Sequence, residues 1–270
     1  MSSTFRSDRA YRMPTHFGPL PGPRQAPSGG YRPLDTTQKT TLIWAAFEAD
    51  AEQVQTLLPD GFRPTEKPDL SVEIKTMTNI GWLAGRGYNV ATITTGVRRD
   101  PTHDDHPTEG RFKLVLWENL ADPIITGREE LGYPKVFGDI ENVVVDDDRA
   151  RSAVSWGGFE FLELEVSGLG SVEASAPGGD SFHLKYVPRT GRGQEVTETI
   201  LTPAGQGPLS IDERLGGVGR LTITRGTWEQ LPTLVTIVDG LADLRLGACL
   251  GAGLTRTTGT TDLRDQVVIA

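Results

Sequence analysis

The chain has 270 residues, 37% of them hydrophobic and 23% charged, with a formal net charge of −9. That length supports one large domain or two small ones, and the balance is that of a soluble globular protein. The acidic excess argues against nucleic acid as the main partner, since phosphate binding draws on clustered cations, and no apolar run approaches a membrane span.

Residues 1–39 are rich in Pro, Gly, Ser and Arg, as in MPTHFGPLPGPRQAPSGG. Such a stretch cannot form a packed core by itself, so it is read as an N-terminal arm, either flexible or laid along the body or a partner subunit. The opening MSSTFRSDRAYRM has arginines but no apolar core, so no secretory signal is expected and the cytoplasm is the expected compartment.

From Thr40 the pattern turns mainly β. TTLIWAAFEA predicts a strand. Asp50, with Gln53 three residues on, caps a short helix carrying Val54, Leu57 and Leu58, which Pro59 and Gly61 end. Alternation then recurs in SVEIKTMTN, YNVATITTG, RFKLVLWEN, FLELEVSG, SFHLKYV, QEVTETI and RLTITRG. IENVVVDDD and RSAVSWG add two strands joined by an acidic turn. Many short strands between Gly, Pro and Asp turns predict an antiparallel barrel or sandwich. Thr227 and Gln230 form a capping-box pattern, and PTLVTIVDGLADLRLGACL reads as a buried helix interrupted near Gly240, with a final strand over Leu254–Thr258. Nothing divides residues 40–270, which are expected to form a single domain.

Several clusters that resemble sites have plainer readings. His103, Asp104, Asp105 and His106 crowd a Pro-rich turn and read as a solvated loop. Asp146, Asp147 and Asp148 read as a hairpin tip, since a calcium loop needs regularly spaced ligands and a glycine hinge. LRLGACLGAG lacks the strand-first context and spacing of a nucleotide loop, and helix packing explains it better. No GxSxG elbow supports a hydrolase, and His16 and His183 read as structural. Cys249 is the only cysteine, which excludes an intrachain disulfide and a cysteine-based zinc site and leaves a buried packing residue. No metal and no cofactor are expected.

The segment GREELGYPKVF sets Lys135 behind Pro134, between the aromatic residues Tyr133 and Phe137. Taken alone, these flanks fit a partly exposed lysine whose stem covers aromatic surface. The wider frame reverses that preference. Glu118, Asn119 and Pro123, then Gly127, Arg128 and Glu129, then Tyr133, Pro134 and Lys135 closely resemble the motif of the acetoacetate decarboxylase family. VEIKTM resembles the family's strand with an active-site glutamate, here Glu73, and the likeness runs in order over roughly residues 40–260. The implied fold is mainly β, a cone-shaped antiparallel β-barrel with flanking strands and a few helices.

The resemblance implies that Lys135 attacks a ketone carbonyl to form an imine, the activated-lysine chemistry for which this family is a standard example. An ordinary lysine, with a pKa of about 10.4, is protonated at neutral pH, and an apolar pocket is one way to lower that value. It also implies that Glu73 moves protons, its pKa raised by burial, and that Arg128 holds a substrate carboxylate. Glu129 then orients Lys135 or Arg128, and Tyr133 packs or donates a hydrogen bond. Structural alternatives are a solvent-facing Glu73 and an Arg128 ion pair with Glu118 or Glu129.

Two departures matter. Where decarboxylases carry a second lysine directly after the nucleophile, this chain has Val136, and the stretch from Trp82 to Arg99 lacks the family's acidic loop residue. The family's N-terminal arginine has three candidates, Arg24, Arg32 and Lys39. Relatives that run aldol chemistry carry a glutamine in the lysine turn, where this chain has Glu130 and Leu131. The expectation is a Schiff-base carbon–carbon lyase or synthase acting on a small oxo acid by aldol addition or dehydration. Decarboxylation of a β-keto acid and non-catalytic binding of a small ligand are the alternatives. A homo-oligomer is expected, without nucleic acid or membrane.

Overall fold

A computed structural model describes residues 5–100, 106–172, 179–191, 195–205, 207–263 and 265–269. The first strands are β1 (Lys39–Ala49), β2 (Phe62–Pro64), β3 (Asp69–Ile80), β4 (Arg86–Arg99) and β5 (Glu109–Glu118). Three short strands come next, β6 (Lys135–Phe137), β7 (Asp139–Ile140) and β8 (Val144–Asp146), then β9 (Arg149–Trp156) and β10 (Phe159–Ser171). The last five are β11 (Ser181–Val187), β12 (Val196–Thr202), β13 (Ser210–Ile223), β14 (Leu246–Thr258) and β15 (Val267–Val268). Helices are few and short: α1 (Ala51–Gln55), α2 (Ala121–Thr126) and α3 (Val235–Ala242).

All fifteen strands join one sheet, ordered β15-β12-β11-β5-β4-β3-β1-β14-β13-β10-β9-β7, with β2, β6 and β8 paired to its side. Pairing is antiparallel except where β5 meets β6 and β11. The sheet is large and mixed, and it does not close. On one face of its centre, Ile43, Ala45, Val72, Ile74, Ala91, Ile93, Val115 and Trp117 point into the main core, which α3 helps cover through Val238 and Leu241. A smaller aromatic cluster of Phe62, Phe112 and Phe182 packs near β2 and β11.

The Asp50 cap forms as predicted, its carboxylate accepting from the backbone N–H groups of Glu52 and Gln53 at 3.1 Å each. Asp147 sits at positive φ in the tip between β8 and β9, as a hairpin turn requires. One expectation fails. LGACLGAG is strand, not helix: β14 starts at Leu246, because its small residues let it lie closely between β1 and β13. The chain around Pro123 forms helix α2, since proline in a first helical turn loses no intrahelical bond. His103, Asp104 and Asp105 lie outside the described residues. No described helix is long and apolar enough to cross a membrane.

The arm, as far as it is described, is fastened to the body. Asp35 accepts from the Gly81 N–H at 2.6 Å, and the Asn79 side chain donates to the Thr37 carbonyl at 2.9 Å. The buried Arg12 reaches the chain just after α2, with its Nε 3.1 Å from Glu130 and a hydrogen bond to the Thr126 hydroxyl.

Candidate active site

Directly after α2 the chain opens into one π-helical turn, Gly127–Leu131, before Tyr133 and Pro134 lead into β6. Such wide turns interrupt a regular helix and re-aim the chain beyond them. Lys135 opens β6, which runs parallel to β5 with Lys135 opposite Leu116. Its stem lies flat on Gly127: a Cβ built there would stand 2.4–2.6 Å from Lys135 Cδ, Cε and Nζ. Only the missing side chain admits the lysine.

Lys135 is 7% exposed. Its Nζ lies 2.7 Å from Glu118 Oε1, donates to the Pro123 carbonyl at 3.1 Å, and stands 5.6 Å from the centre of the Tyr133 ring. Glu118, at the end of β5, is almost wholly buried. Burial pushes its carboxyl up, and the Lys135 ammonium opposes that shift. Glu118 Oε2 makes no hydrogen bond among the described residues. The pair is therefore a buried acid and amine in contact, with one carboxylate oxygen left to serve another group.

Tyr133 is the hub. Burial raises its phenol, which is hydrogen-bonded to the Thr202 hydroxyl, and its ring stacks on His183 at 4.4 Å between centroids. Gln266 donates in turn to the Thr202 hydroxyl at 2.8 Å. His183 is fully buried, with Nε2 2.9 Å from the Leu131 carbonyl oxygen. Burial drives its pKa down to about 3, so it is neutral. Its structural reading from sequence fits this position.

Glu73 sits farther along the same sheet face. Across the sheet the register runs Glu73, Thr92, Leu116, Lys135, which places Glu73 on the same face as the lysine but three strands away. Its carboxylate is 2.8 Å from Lys75 Nζ and roughly a third exposed. The Lys75 cation holds the Glu73 carboxyl down, more strongly than burial raises it, with Lys113 and Arg111 adding to the effect. The expected upward shift at this glutamate is thus reversed, because its nearest neighbour is a cation.

Arg128 and Glu129 are both on the exposed side of the turn. Arg128 Nη1 donates to the Lys135 carbonyl at 2.8 Å, so it braces the backbone of the lysine and pairs with neither Glu118 nor Glu129. The N-terminal arginine in direct contact with this turn is Arg12, and Arg24, one of the three candidates, stands near enough to Glu130 to help hold its carboxyl down against burial. The spacing of Arg12 from the motif, more than a hundred residues, leaves no signal in sequence. Lys113 was also missed, and it faces the same Tyr133 ring at 5.5 Å. Among the described residues no group of His, Cys, Asp and Glu side chains is arranged to hold a metal.

The profile of the acetoacetate decarboxylase (ADC) family matches residues 12–257, which include Lys135, Glu118 and the Arg12 contact. The chain belongs to the acetoacetate decarboxylase family. Among curated proteins, none matches it. Among solved structures, an acetoacetate decarboxylase from Legionella pneumophila is similar at TM-score 0.67 and 16% identity, covering 91% of this chain and 92% of that one. The enduracididine biosynthesis enzyme MppR, complexed with the condensation product of pyruvate and imidazole 4-carboxaldehyde, reaches TM-score 0.65 at 15% identity, covering 87% and 89%. An acetoacetate decarboxylase-like enzyme from Sphingomonas wittichii RW1 gives TM-score 0.61 at 17% identity, covering 91% and 97%. At such identities the likeness shows the fold, shared by the decarboxylase and MppR alike.

Proposed function

We propose that this acetoacetate decarboxylase family member forms a Schiff base between Lys135 and a small oxo acid and uses the resulting enamine for aldol addition or dehydration. The observation that carries the reading is the buried Lys135–Glu118 pair at 2.7 Å over Gly127. In the first step Glu118 takes a proton from the Lys135 ammonium, and the freed lone pair attacks the carbonyl carbon. The carbonyl oxygen takes a proton from the attacking nitrogen to become the carbinolamine hydroxyl, and Glu118 returns its proton as that hydroxyl leaves as water. A carboxyl raised by burial suits this exchange, since a strong acid anion would not accept the proton readily. The protonated imine then draws electrons from the neighbouring carbon, and transfer of a proton from that carbon to the Glu118 carboxylate gives the enamine.

Two outcomes branch from the imine. A pyruvate-like acid keeps its carboxylate and adds to an aldehyde, whereas a β-keto acid loses carbon dioxide. Val136, in place of the decarboxylases' second lysine, favours the first. MppR, on the same fold, binds a condensation product of pyruvate, which is the class of product an enamine addition yields. In this reading Arg128 braces the Lys135 backbone, Tyr133 forms a wall, Glu73 is a polar group of the same sheet face, and Glu129 flanks the turn.

Incubation with pyruvate or acetoacetate and borohydride, with intact mass and peptide mapping as the readout, tests the reading. The expected result is one reduced adduct per chain on Lys135, lost in Lys135→Met. No adduct, or an adduct elsewhere, would leave the non-catalytic binding protein as the better description. Carbon dioxide release from acetoacetate separates decarboxylation from addition.

A further inference from the structure

Lys135 shares its sheet face with Lys75, Lys113 and Arg111. Lys135 is paired with Glu118, Lys75 with Glu73, and Arg111 with Asp69 at 2.6 Å. Lys113 is the odd cation, with no ion pair among the described residues. Its ammonium donates only to the Ser181 hydroxyl and otherwise faces the Tyr133 ring. Lys113 and Lys135 stand 5.5 and 5.6 Å from the centre of that one ring, so their nitrogens are no farther apart than those two distances laid end to end.

We infer that Lys113 holds the carboxylate of the oxo acid whose carbonyl reacts at Lys135. This rests on the imine reading of Lys135 and adds the group that orients the substrate. An ammonium in a partly buried place, without a carboxylate of its own, is unfavourable unless an anion joins it. Burial already pushes Lys113 down to about 8, with Glu73 countering, so it remains largely protonated at neutral pH. Arg128, the residue expected for this role, is committed to the Lys135 carbonyl on the exposed side of the turn. A carboxylate between Lys113 and Lys135 would lie along the Tyr133 ring, which fixes which face of the carbonyl meets the amine.

The test uses oxamate, an unreactive carboxylate analogue of a 2-oxo acid, with the whole chain. In the wild-type protein, the ε-carbon NMR resonance of Lys113 is expected to shift on oxamate addition and its titration midpoint to rise. Lys113→Gln is expected to weaken oxamate binding by about tenfold to a hundredfold, the effect of one lost charge-assisted hydrogen bond, with Lys113→Arg restoring most of it. An unmoved Lys113 resonance, absent oxamate binding, or equal binding in Lys113→Gln would overturn the inference. The wild-type resonance needs no variant to fold. If oxamate binding depends on Lys113 while no carbonyl is trapped at all, the subsite stands and the imine reading falls.

Discussion

Gly127 has helical dihedrals, φ −63° and ψ −41°, where alanine would ordinarily be preferred by about 1 kcal/mol. A glycine in such a place needs a steric reason, and the Lys135 side chain lying 2.4–2.6 Å from a would-be Cβ supplies it. Gly127→Ala should therefore displace the lysine from Glu118 and lower the borohydride-trapping rate by about 100-fold, the scale of a misplacement near 1 Å. Overpacking should cost about 1–3 kcal/mol, and a urea titration beside the trapping assay separates the two effects. Trapping at the wild-type rate would mean that the packing against Gly127 has no part in placing the amine. Gly127 was visible in the Gly-Arg-Glu frame, but its reason appears only when the lysine, eight residues on, folds back over it.

At the level of elements, strand alternation explains both what the sequence conveyed and what it hid. RFKLVLWEN reads as a simple alternating strand, which puts Lys113 with Val115 and Trp117 and opposite in face to Glu118. In the fold, Ile93 pairs with Val115 but Thr94 pairs with Lys113, leaving Leu114 as an extra residue. That bulge flips the register, so Lys113 joins Leu116 and Glu118 on the site face while Val115 and Trp117 stay in the core. A bulge has no fixed sequence mark here, and so Lys113 could not be assigned. The strand β14 shows a related limit. Its glycines look like helix termination, yet a Cβ at Gly253 would sit 2.4 Å from the Leu215 carbonyl oxygen of the paired strand. Gly253→Ala should lower stability by about 1–3 kcal/mol, seen as an earlier urea midpoint with an unchanged slope. An unshifted midpoint would show that β13 and β14 can separate without penalty.

For the whole molecule, the site is assembled where several distant segments meet. Lys135 and Tyr133 come from the turn after α2, Glu118 and Lys113 from β5, Ser181 and His183 from β11, and Arg12 from the arm. His183 ties this junction to pH. Its pKa falls from 6.5 to about 3 on folding, through burial, so the unfolded chain binds a proton at a pH where the native state does not. Stability contributed by the neutral ring is complete above pH 6.5 and declines as the pH falls from 6.5 towards about 3. Urea midpoints at about pH 7 and about pH 4 should differ more in the wild type than in His183→Gln. An equal pH dependence in both would remove His183 as the cause.

The family frame, the strand-rich character and the place of Lys135 in that frame were all legible in sequence, because they rest on local order: motif spacing, alternation and turn residues. The Asp50 cap and the Asp147 hairpin tip were legible for the same reason. Tertiary structure alone decided who surrounds the lysine. Glu118 became its partner through the parallel pairing of β5 and β6, Lys113 entered through one unpaired residue in β5, and Arg12 arrived from the far end of the chain. The pairing of Glu73 with Lys75, two residues along one strand, is by contrast local, and it reverses the direction of the shift expected at Glu73. Charge at a site depends on distances through space, and those are fixed by strand register and chain return, not by position along the sequence.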